Sequence, residues 1–219
     1  MKLTIGNYNY SSWSMRPWVA LTAAGVAFET QKINLDTPEF HSQVPALSPA
    51  GKVPVLQDGN LAVWDTLAII EYAYESHPAI WPAAKAQRAR ARSLCAQMHS
   101  GFTGLRSAMP MNIEAQLHGL GHTADALKDA AALQALWEAE LAAQGGPFLF
   151  GAWSAADAYF APVVMRFASY GVPVSATVQA YMHAVQAHPA VAQWVERAKA
   201  ERIYVAMDEP YRTAAQAGY

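Results

Sequence analysis

The sequence predicts two domains, an α/β domain over residues 1–79 and an all-α helical bundle over residues 85–219. Three observations predict this division. Short runs of strand-like residues occur only in the first third of the chain, and helical spacing prevails after it. Two dipeptides that end in proline, at 77–78 and 81–82, interrupt the chain between these patterns. The chain has 219 residues, of which 53% are hydrophobic, so it can bury a sizeable core.

The first predicted unit consists of a strand, a helix and a second strand. Residues 2–7 alternate apolar and polar side chains, which is typical of a strand. A loop is predicted over residues 8–14, followed by a helix that begins at Met15 and stops at Gly25. Residues 27–35 are predicted to form the second strand.

A hairpin and a further helix complete the first domain. Residues 53–56 form a short apolar strand, residues 57–60 supply the turn Gln-Asp-Gly-Asn, and residues 61–64 form the return strand. Helical spacing then begins, with Asp65 or Thr66 at the N-cap position. The whole order matches a thioredoxin-like sheet with helices on both faces.

Prolines lead to two further predictions in this domain. Residues 36–49 contain three prolines and are not expected to form a long helix. Pro54 stands at the head of a strand, where it cannot donate to the ladder of hydrogen bonds. A cis Val53–Pro54 peptide bond is therefore predicted, with the unpaired backbone of Val53 facing outward.

This outward backbone and the helix after it predict a docking site for a short acidic peptide. An extended peptide can pair with a free strand edge through main-chain hydrogen bonds. The N-terminus of a helix offers free N–H groups and a positive dipole end to a carboxylate. The alternative is an ordinary hairpin and helix, in which Asp65 only caps the helix.

The remainder of the chain is predicted to be helical. Ser154 and Asp157 are expected to form a capping box at the start of one helix, which assigns them to stability and not to chemistry. Glycine and proline separate the helices. Apolar residues recur at helical spacing over residues 84–108, 123–143, 154–170, 174–187 and 189–200.

Composition and spacing argue against several classes of function. The net charge of −2 argues against a nucleic acid or an anionic membrane as the partner. No signal peptide or membrane-spanning apolar run is visible, so a cytoplasmic location is expected. The single cysteine, Cys95, is expected to be a buried apolar residue and not a nucleophile. His118 and His122 have the spacing of metal ligands on a helix, but neighbouring glycines disfavour a helix and no metal is predicted.

The hairpin and its helix resemble the glutathione-binding half of the glutathione S-transferase superfamily. Lys-Val-Pro at 52–54 and Asp-Thr-Leu-Ala-Ile at 65–69 carry the resemblance, which extends over essentially the whole chain and implies the glutathione S-transferase fold. In that family the Val-Pro backbone pairs with the cysteinyl unit of glutathione, a role that falls to Val53. The resemblance implies that Asp65 accepts from the glutathione ammonium and that Thr66 donates its hydroxyl and N–H to the γ-glutamyl carboxylate.

The resemblance also implies side chains at the glycyl end of glutathione. Lys52 suits that carboxylate because it is a cation, and the alternative is an exposed, solvated lysine. Glu39 and His41 fall where the family places other side chains of this kind. The predicted glutathione-binding residues are Val53, Pro54, Asp65, Thr66, Lys52, Glu39 and His41.

The stretch at 11–16 resembles the Ser-Ser-Cys-Ser-x-Arg pattern of the zeta class, the maleylacetoacetate isomerases. Ser11 aligns with the serine that holds the glutathione sulfur and is the predicted catalytic residue, with Ser12 and Ser14 as the next candidates. A hydroxyl that donates to sulfur favours the thiolate, and the helix N-terminus adds to that preference. The alternative is that all three serines are turn and N-cap residues. Trp13 replaces the cysteine of the zeta pattern, which weakens the isomerase assignment and leaves glutathione binding untouched.

The electrophile is expected to bind across the cleft, against the first helix of the second domain. His99, Phe102 and Arg106 share one helical face by spacing. Arg106 is a candidate for an anionic substrate or for glutathione, and Met109 offers an adaptable apolar lining, although such residues are often core. The predicted substrate pocket consists of Trp13, His99, Phe102, Thr103, Arg106 and Met109.

The resemblance implies a glutathione transferase whose thiolate attacks an electrophilic small molecule, as in detoxification, with glutathione as co-substrate and without a metal. One alternative is glutathione-dependent cis–trans isomerisation of maleylacetoacetate or a relative. Another is a non-catalytic module that binds glutathione. The resemblance also implies a homodimer, to which the aromatic residues Tyr72, Tyr74 and Trp81 are candidate contributors.

Overall fold

A four-stranded mixed sheet forms the first part of the chain in the computed structural model, which describes residues 1–218. Its strands are β1 (Lys2–Ile5), β2 (Glu29–Lys32), β3 (Val55–Asp58) and β4 (Leu61–Trp64), in the spatial order β2-β1-β3-β4. Strands β1 and β2 are parallel, whereas β3 is antiparallel to both β1 and β4. The predicted thioredoxin-like sheet is confirmed.

Three helices accompany the sheet, namely α1 (Ser12–Ala23), α2 (Pro38–Leu47) and α3 (Thr66–Tyr74). Helix α1 connects the two parallel strands, as a crossover between parallel strands must. Helices α1 and α3 pack against each other. Their N-termini lie side by side, because the hydroxyl of Thr66 at the start of α3 donates to the carbonyl oxygen of Trp13 in the first turn of α1.

Helix α1 begins at Ser12 and not at the predicted Met15. The backbone N–H of Gly6 donates to Ser14 Oγ at 3.1 Å, which holds the first turn of the helix against the end of β1. Serine has a low helix propensity, so propensity alone predicts a loop here. The tertiary hydrogen bond overrides that propensity.

Helix α2 corrects the expectation that residues 36–49 hold no long helix, because ten of them are helical. The hydroxyl of Thr37 caps the helix by accepting a backbone N–H. Pro38 occupies the first position, where the missing N–H has no partner in any helix. Pro45 lies in the last turn and removes one hydrogen bond near the end. Proline content alone therefore misjudges this segment.

The rest of the chain consists mainly of helices, as predicted. No helix within residues 1–218 combines the length and the apolar character needed to cross a bilayer. The exact boundary between the two domains stays a prediction. Two short 3-10 turns, Pro78–Ile80 and Ala206–Asp208, accompany helices α4 (Lys85–Ser100), α5 (Thr103–Ala108), α6 (Ala124–Gln144), α7 (Ala155–Tyr170), α8 (Ala176–Ala187), α9 (Pro189–Glu201) and α10 (Ala214–Ala217).

The single helix predicted over residues 84–108 is wrong, because the chain breaks between α4 and α5. Phe102 has a φ of 55°, which is left-handed and ends the helical path. A Cβ at Gly101 would lie 2.8 Å from the carbonyl oxygen of Gln97, so glycine is required at the end of α4. An isolated glycine inside a helical pattern does not reveal such a break from spacing alone.

Helices α1 and α7 join the two parts of the chain. The Nε of Arg16 in α1 donates to the carbonyl oxygen of Tyr159 in α7 at 3.0 Å. The guanidinium carbon lies 4.4 Å from the ring centroid of Trp13 and 4.7 Å from that of Tyr159, which is cation–π geometry. Burial lowers the pKa of Arg16 to about 10, so the side chain is still a cation at neutral pH. A charged contact therefore fixes α7 against the start of α1.

The capping box at the start of α7 is confirmed. Ser154 Oγ accepts from the N–H of Ala156 at 3.3 Å, and Asp157 Oδ2 accepts from the N–H of Ser154 at 2.9 Å. The other carboxylate oxygen of Asp157 accepts from the N–H of Leu149 and from the hydroxyl of Tyr181. Burial raises the pKa of Asp157 to about 6. These two residues serve stability, as expected.

The aromatic residues expected at a dimer interface differ in their exposure. Trp81 is 2% exposed and packs in the core. This corrects its assignment to an interface, because a core side chain has no surface to offer a partner. Tyr72 and Tyr74 are half-buried.

Candidate active site

Two adjoining cavities lie where helices α1 and α3 begin. The first, here called the α3 cavity, has a volume of about 330 Å³ and reaches Asp65 at the start of α3. The second, here called the serine cavity, has a volume of about 760 Å³ and reaches Ser11 and Ser12. The two share four lining residues and thus form one cleft. These shared residues are Trp13, Lys52, Val53 and Arg106.

Val53 presents a free backbone to this cleft. The Val53–Pro54 peptide bond is cis, as predicted. Within residues 1–218, Val53 makes no backbone hydrogen bond. Its N–H and C=O are therefore available to an extended peptide. Lys52, beside it, is exposed and lines both cavities.

The N-terminus of α3 opens into the α3 cavity. Asp65 caps the helix, since its Oδ1 accepts from the N–H groups of Leu67 and Ala68 at 2.9 and 3.3 Å. Its own φ is 74°, a conformation that residues other than glycine rarely adopt. The hydroxyl of Thr66 donates to the carbonyl oxygen of Trp13 at 2.9 Å. The hydroxyl thus donates to Trp13 in this structure, whereas the N–H of Thr66 has no acceptor in the described residues and is free for a carboxylate.

His99 lines the α3 cavity, which corrects its placement beside the electrophile. Its Nε2 lies 3.4 Å from Asp65 Oδ2, and its Nδ1 lies 2.8 Å from the hydroxyl of Tyr159. Burial raises the pKa of Tyr159, so that hydroxyl keeps its proton and can donate to Nδ1. The proton of a neutral His99 then belongs on Nε2, facing the carboxylate. His99 therefore connects the cap of α3 to α7.

The three candidate serines differ in their access to the cleft. Ser11 and Ser12 line the serine cavity, but Ser14 is fully buried behind Ser11. Ser11 Oγ and Ser14 Oγ are hydrogen-bonded to each other at 2.8 Å. The prediction that Ser14 is a candidate for direct contact with the glutathione sulfur is wrong, because a hydroxyl with no exposed surface cannot touch a bound thiol. Ser11 as the residue that contacts sulfur stays a prediction.

The first turn of α1 adds backbone donors beside these hydroxyls. The N–H groups of Trp13 and Ser14 have no acceptor in the described part of the chain. Such unpaired N–H groups and the positive end of the helix dipole favour a negative charge nearby. A thiolate in front of Ser11 would therefore meet several stabilising groups.

Trp13 separates the two cavities. The guanidinium carbons of Arg16 and Arg106 lie 4.4 and 4.9 Å from its ring centroid. The ring of His99 meets it edge-on, with centroids 4.9 Å apart. Two cations and an imidazole thus hold the indole at the position where the zeta pattern has cysteine.

Arg166 is a site residue that the sequence did not reveal. It lies on α7, is 5% exposed and lines the serine cavity. Its Nε donates to the carbonyl oxygen of Met109 at 2.7 Å and its Nη2 to Ser12 Oγ at 3.4 Å, whereas the buried Nη1 has no partner. Burial, followed by the nearby Arg16 and Arg106, lowers its pKa to about 9, so it is still a cation at neutral pH. The one available signal was a lone arginine among the apolar residues of a core helix.

The segment after α9 also reaches the serine cavity, through Met207 and Asp208. Burial raises the pKa of Asp208 to about 6. The buried carboxylate of Glu209 anchors the segment, because it accepts from the hydroxyl of Tyr10 at 2.7 Å and from the amide of Asn112 at 2.8 Å. No motif marks these residues in the sequence.

Three predicted site residues lie outside the two cavities. Glu39 is exposed on α2, because the unexpected helix turns its side chain to solvent. Met109 is fully buried in the core, where its carbonyl holds Arg166. Phe102 packs partly buried against the core, because the break before α5 takes it off the predicted face. His41 and Thr103 do line the serine cavity.

The described residues contain no group of three or more potential ligands that could hold a metal ion. His122, one of the two histidines with metal-like spacing, has Nε2 3.0 Å from the carbonyl oxygen of Tyr170. His118 lies near Gly171 at the turn after α7. Both histidines sit in the connection between α5 and α6, away from the cleft.

Comparisons with known proteins identify two matching domain models. The model described as glutathione S-transferase, N-terminal domain, matches residues 10–76, and the C-terminal domain model matches residues 120–197. A probable maleylacetoacetate isomerase of Caenorhabditis elegans is 32% identical over 108 residues, which are 48% of this chain and 50% of that protein. Another from Vibrio cholerae is 32% identical over 99 residues, 43% of this chain and 46% of that protein. The chain thus spans about half the length of these curated relatives.

Solved structures match over nearly the whole chain. The crystal structure of a glutathione transferase homologue from Burkholderia, with bound glutathione, has a TM-score of 0.69 and 27% identity, and covers 91% of this chain and 97% of that chain. A maleyl pyruvate isomerase, described as a bacterial zeta-class glutathione S-transferase, has a TM-score of 0.70 and 25% identity, with coverage of 90% and 98%. Both parts of the fold are therefore represented in each relative.

Proposed function

The chain belongs to the glutathione S-transferase family, and from this membership we propose that it is an enzyme that activates the thiol of glutathione for attack on an electrophilic small molecule. One observation carries the proposal: the free backbone of Val53, the N-terminus of α3 and the hydroxyl of Ser11 meet at a single cleft. Glutathione bound to solved relatives supports the same co-substrate.

The chemistry of the cleft suits glutathione in one orientation. The cysteinyl unit pairs with Val53, whose position in both cavities directs the thiol toward Ser11. The γ-glutamyl end lies at the start of α3, where Asp65 accepts from the ammonium and the N–H of Thr66 donates to the carboxylate. The glycyl carboxylate extends toward Lys52.

Ser11 activates the thiol and does not attack the substrate. A thiol with a pKa of about 8.5 is only a few per cent ionised at neutral pH. A lowering by roughly two units, about 2.7 kcal/mol, makes the thiolate dominant. The hydroxyl of Ser11 and the free N–H groups at the start of α1 favour the charged form, and the proton leaves to solvent.

The reaction then consists of one nucleophilic step at carbon. A sulfur lone pair forms the C–S bond while a leaving group departs with its electron pair. With an activated alkene, the π electrons move instead onto the electron-withdrawing group, and the adduct takes up a proton. The larger serine cavity is the place for this electrophile, beside Ser11.

A second candidate is glutathione-dependent cis–trans isomerisation, and Arg166 favours it. A buried guanidinium with a free Nη1 suits an anionic substrate such as maleylacetoacetate. The thiolate would add to the double bond, the bond would rotate, and the thiolate would leave again. Two relatives are named probable maleylacetoacetate isomerases. Trp13, in place of the cysteine of the zeta pattern, counts against this candidate.

We also propose a homodimer and a cytoplasmic location, both of which rest on the family. Tyr72 and Tyr74 remain candidates for the dimer interface because they are half-buried in the single chain. Light scattering behind gel filtration measures the mass in solution. A monomer at micromolar concentration would contradict the dimer and would leave the chemistry untouched.

Removal of Ser11 tests the activity. Ser11→Ala is expected to lower kcat/KM about 100-fold while the affinity for glutathione changes little, because the hydroxyl acts on the thiolate and not on the rest of the peptide. Calorimetry at millimolar glutathione and assays with a conjugation substrate and with maleylacetoacetate provide the readouts. Binding without turnover of either substrate would indicate a non-catalytic module. A wild-type protein that takes up no glutathione would contradict the whole proposal.

A further inference from the structure

Ser14 places a buried hydroxyl directly behind the proposed site, and the steps above do not use it. It is fully buried and lines neither cavity. Its Oγ accepts from the N–H of Gly6 at 3.1 Å and lies 2.8 Å from Ser11 Oγ. Within residues 1–218 the Ser14 hydroxyl has no other hydrogen-bond partner. Ser14 can therefore act on a ligand only through Ser11.

Gly6, Ser14 and Ser11 form a short chain of hydrogen bonds, and the donor of each bond can be considered in turn. The N–H of Gly6 can only donate, so Ser14 Oγ is its acceptor. One proton lies between the two hydroxyls, and either of them can supply it. The Ser14 hydroxyl is fully buried, and Ser11 Oγ, at 2.8 Å, is the one acceptor within its reach in residues 1–218, so Ser14 donates this hydrogen bond to Ser11. A buried donor without a partner is unfavourable.

A thiolate in front of Ser11 extends this chain of hydrogen bonds. Ser14 donates to Ser11, and Ser11 can then donate to the sulfur. Every proton from Gly6 to the ligand now has an acceptor. Hydrogen bonds in such a chain polarise one another, which strengthens the last of them.

We propose that Ser14 is a positioning residue that donates to Ser11 and so turns the Ser11 hydroxyl toward the sulfur of bound glutathione. The inference rests on the proposed function, because it requires the sulfur at Ser11. It also selects Ser11 over Ser12, whose Oγ contacts the guanidinium of Arg166 at 3.4 Å and has no contact with Ser14.

The local fold keeps this chain of hydroxyls short. Gly6 follows β1, and a Cβ there would lie 2.8 Å from Leu35 Cδ2 and 3.2 Å from Ser11 Cβ. Glycine thus allows the end of β1 to approach the first turn of α1 closely. That approach brings the donor N–H to Ser14.

Ser14→Ala tests the proposal through the ionisation of the bound thiol. The ultraviolet absorbance of the thiolate, titrated in the presence of saturating glutathione, measures its pKa. We expect this pKa to rise by about one unit, with kcat/KM about fivefold lower at the wild-type midpoint. Glutathione affinity at a pH where the thiol is protonated should stay within about twofold, because Ser14 acts only on the charged form.

Three further variants separate positioning from packing. Ser14→Thr keeps the hydroxyl and should restore the wild-type thiol pKa. Ser14→Cys keeps a side chain of similar size but with a weaker donor, so it should raise the pKa of the bound thiol, as alanine does. If Ser14→Ala does not fold, Ser14→Cys provides the test. Thr4→Val is the control. It removes a buried hydroxyl of β1 that donates to Gln31, away from the cleft, and should leave the pKa of the bound thiol unchanged.

A double-mutant cycle supplies the decisive outcome. When Ser11 is already alanine, Ser14→Ala should cause no further shift of the thiol pKa, since its effect passes through Ser11. An additive shift overturns the inference, as does a wild-type thiol pKa in both Ser14→Ala and Ser14→Cys. Loss of affinity for the protonated thiol would show a purely structural role and would overturn it too. If the wild-type protein does not bind glutathione, the proposed function itself is rejected. This result is obtained with the wild-type protein alone and is therefore distinct from the outcomes for the variants.

Discussion

Asp65 combines two tasks at a single carboxylate. One oxygen caps α3 through two N–H groups, and the other lies 3.4 Å from His99 in the cleft. The residue also holds a φ of 74°. Asparagine and aspartate tolerate positive φ better than most residues, so strain and capping can be separated from charge by substitution.

Asp65→Asn should separate charge from capping. The amide oxygen can still accept from the helix N–H groups, so the free energy of unfolding should change by less than about 0.5 kcal/mol. Glutathione affinity should fall at least about tenfold, because the ammonium loses an ionic partner. Asp65→Ala should lose the affinity and also about 1–2 kcal/mol of stability. Calorimetry and urea unfolding measure the two effects, and wild-type affinity in Asp65→Asn would refute the ionic role.

Arg166→Met tests whether the serine cavity recognises an anion. Methionine removes the charge and retains much of the side-chain volume. KM for an electrophile that carries a carboxylate should rise at least about tenfold, whereas the methyl ester of the same compound should be unaffected. Glutathione affinity serves as the internal control, because Arg166 does not line the α3 cavity. Equal effects on acid and ester would contradict anion recognition.

Helix α7 is the element that joins stability to the site. Its first turn carries the capping box, and its C-terminal half carries Arg166 into the serine cavity. Tyr159 on the same helix contacts both Arg16 and His99. The position of the buried Asp157 at the start of α7 therefore affects residues far along it.

Asp157 predicts a pH dependence of stability. Burial raises its pKa to about 6 in the folded protein, against about 3.9 for an unfolded chain. The folded state therefore binds this proton more tightly, so the contribution is fully present below about pH 4 and is lost as pH rises through 6. The loss is on the order of 2–3 kcal/mol for a shift of about two units.

Urea unfolding between pH 4 and 7 measures this slope. The free energy of unfolding of Asp157→Asn should depend less on pH than that of the wild type over that window, because the amide does not titrate. Thr123→Ala, which removes the N-cap of α6 and does not touch Asp157, is the matched control; it should lose about 1 kcal/mol of capping energy and keep the wild-type slope. Identical slopes in wild type and Asp157→Asn would assign the dependence to other groups.

At the scale of the whole molecule, the cleft is built from segments at both ends of the chain. The turn at Ser11 comes from the start, Arg166 from the second part, and Asp208 from the segment after α9. Glu209 connects this last segment to Tyr10 and to Asn112 through buried hydrogen bonds. The serine cavity is therefore complete only when the C-terminal segment is docked.

Glu209→Ala should release the C-terminal segment. The hydroxyl of Tyr10 and the amide of Asn112 would lose their acceptor, so hydrogen exchange after α9 should accelerate. KM for the electrophile should rise several-fold, and glutathione affinity should not change because the α3 cavity contains no residue of this segment. Ser175→Ala removes the cap of α8, which lies outside this segment, and is the control. Unchanged exchange in Glu209→Ala would mean that other contacts hold the segment.

Local signals in the sequence determined much of the fold. The hairpin, the cis proline and the capping box were correctly predicted because each depends on residues within a few positions, although Gln57 and Asp58 extend β3 and leave only Gly59 and Asn60 in the turn. The start of α1 and helix α2 were not correctly predicted, because local signals conflict with tertiary contacts in these segments. The break at Gly101 was missed because it depends on one close approach to a carbonyl oxygen.

The sequence by itself determined the fold class and the family, because turn residues, apolar periods and short motifs are local properties of the chain. Only the tertiary structure decided which side chains share the cleft. It brought Arg166 to Ser12, which lies 154 positions earlier, and it moved His99 from the electrophile to Asp65. The physical reason is that a contact between distant residues depends on how whole elements pack, and that packing leaves no pattern in either segment.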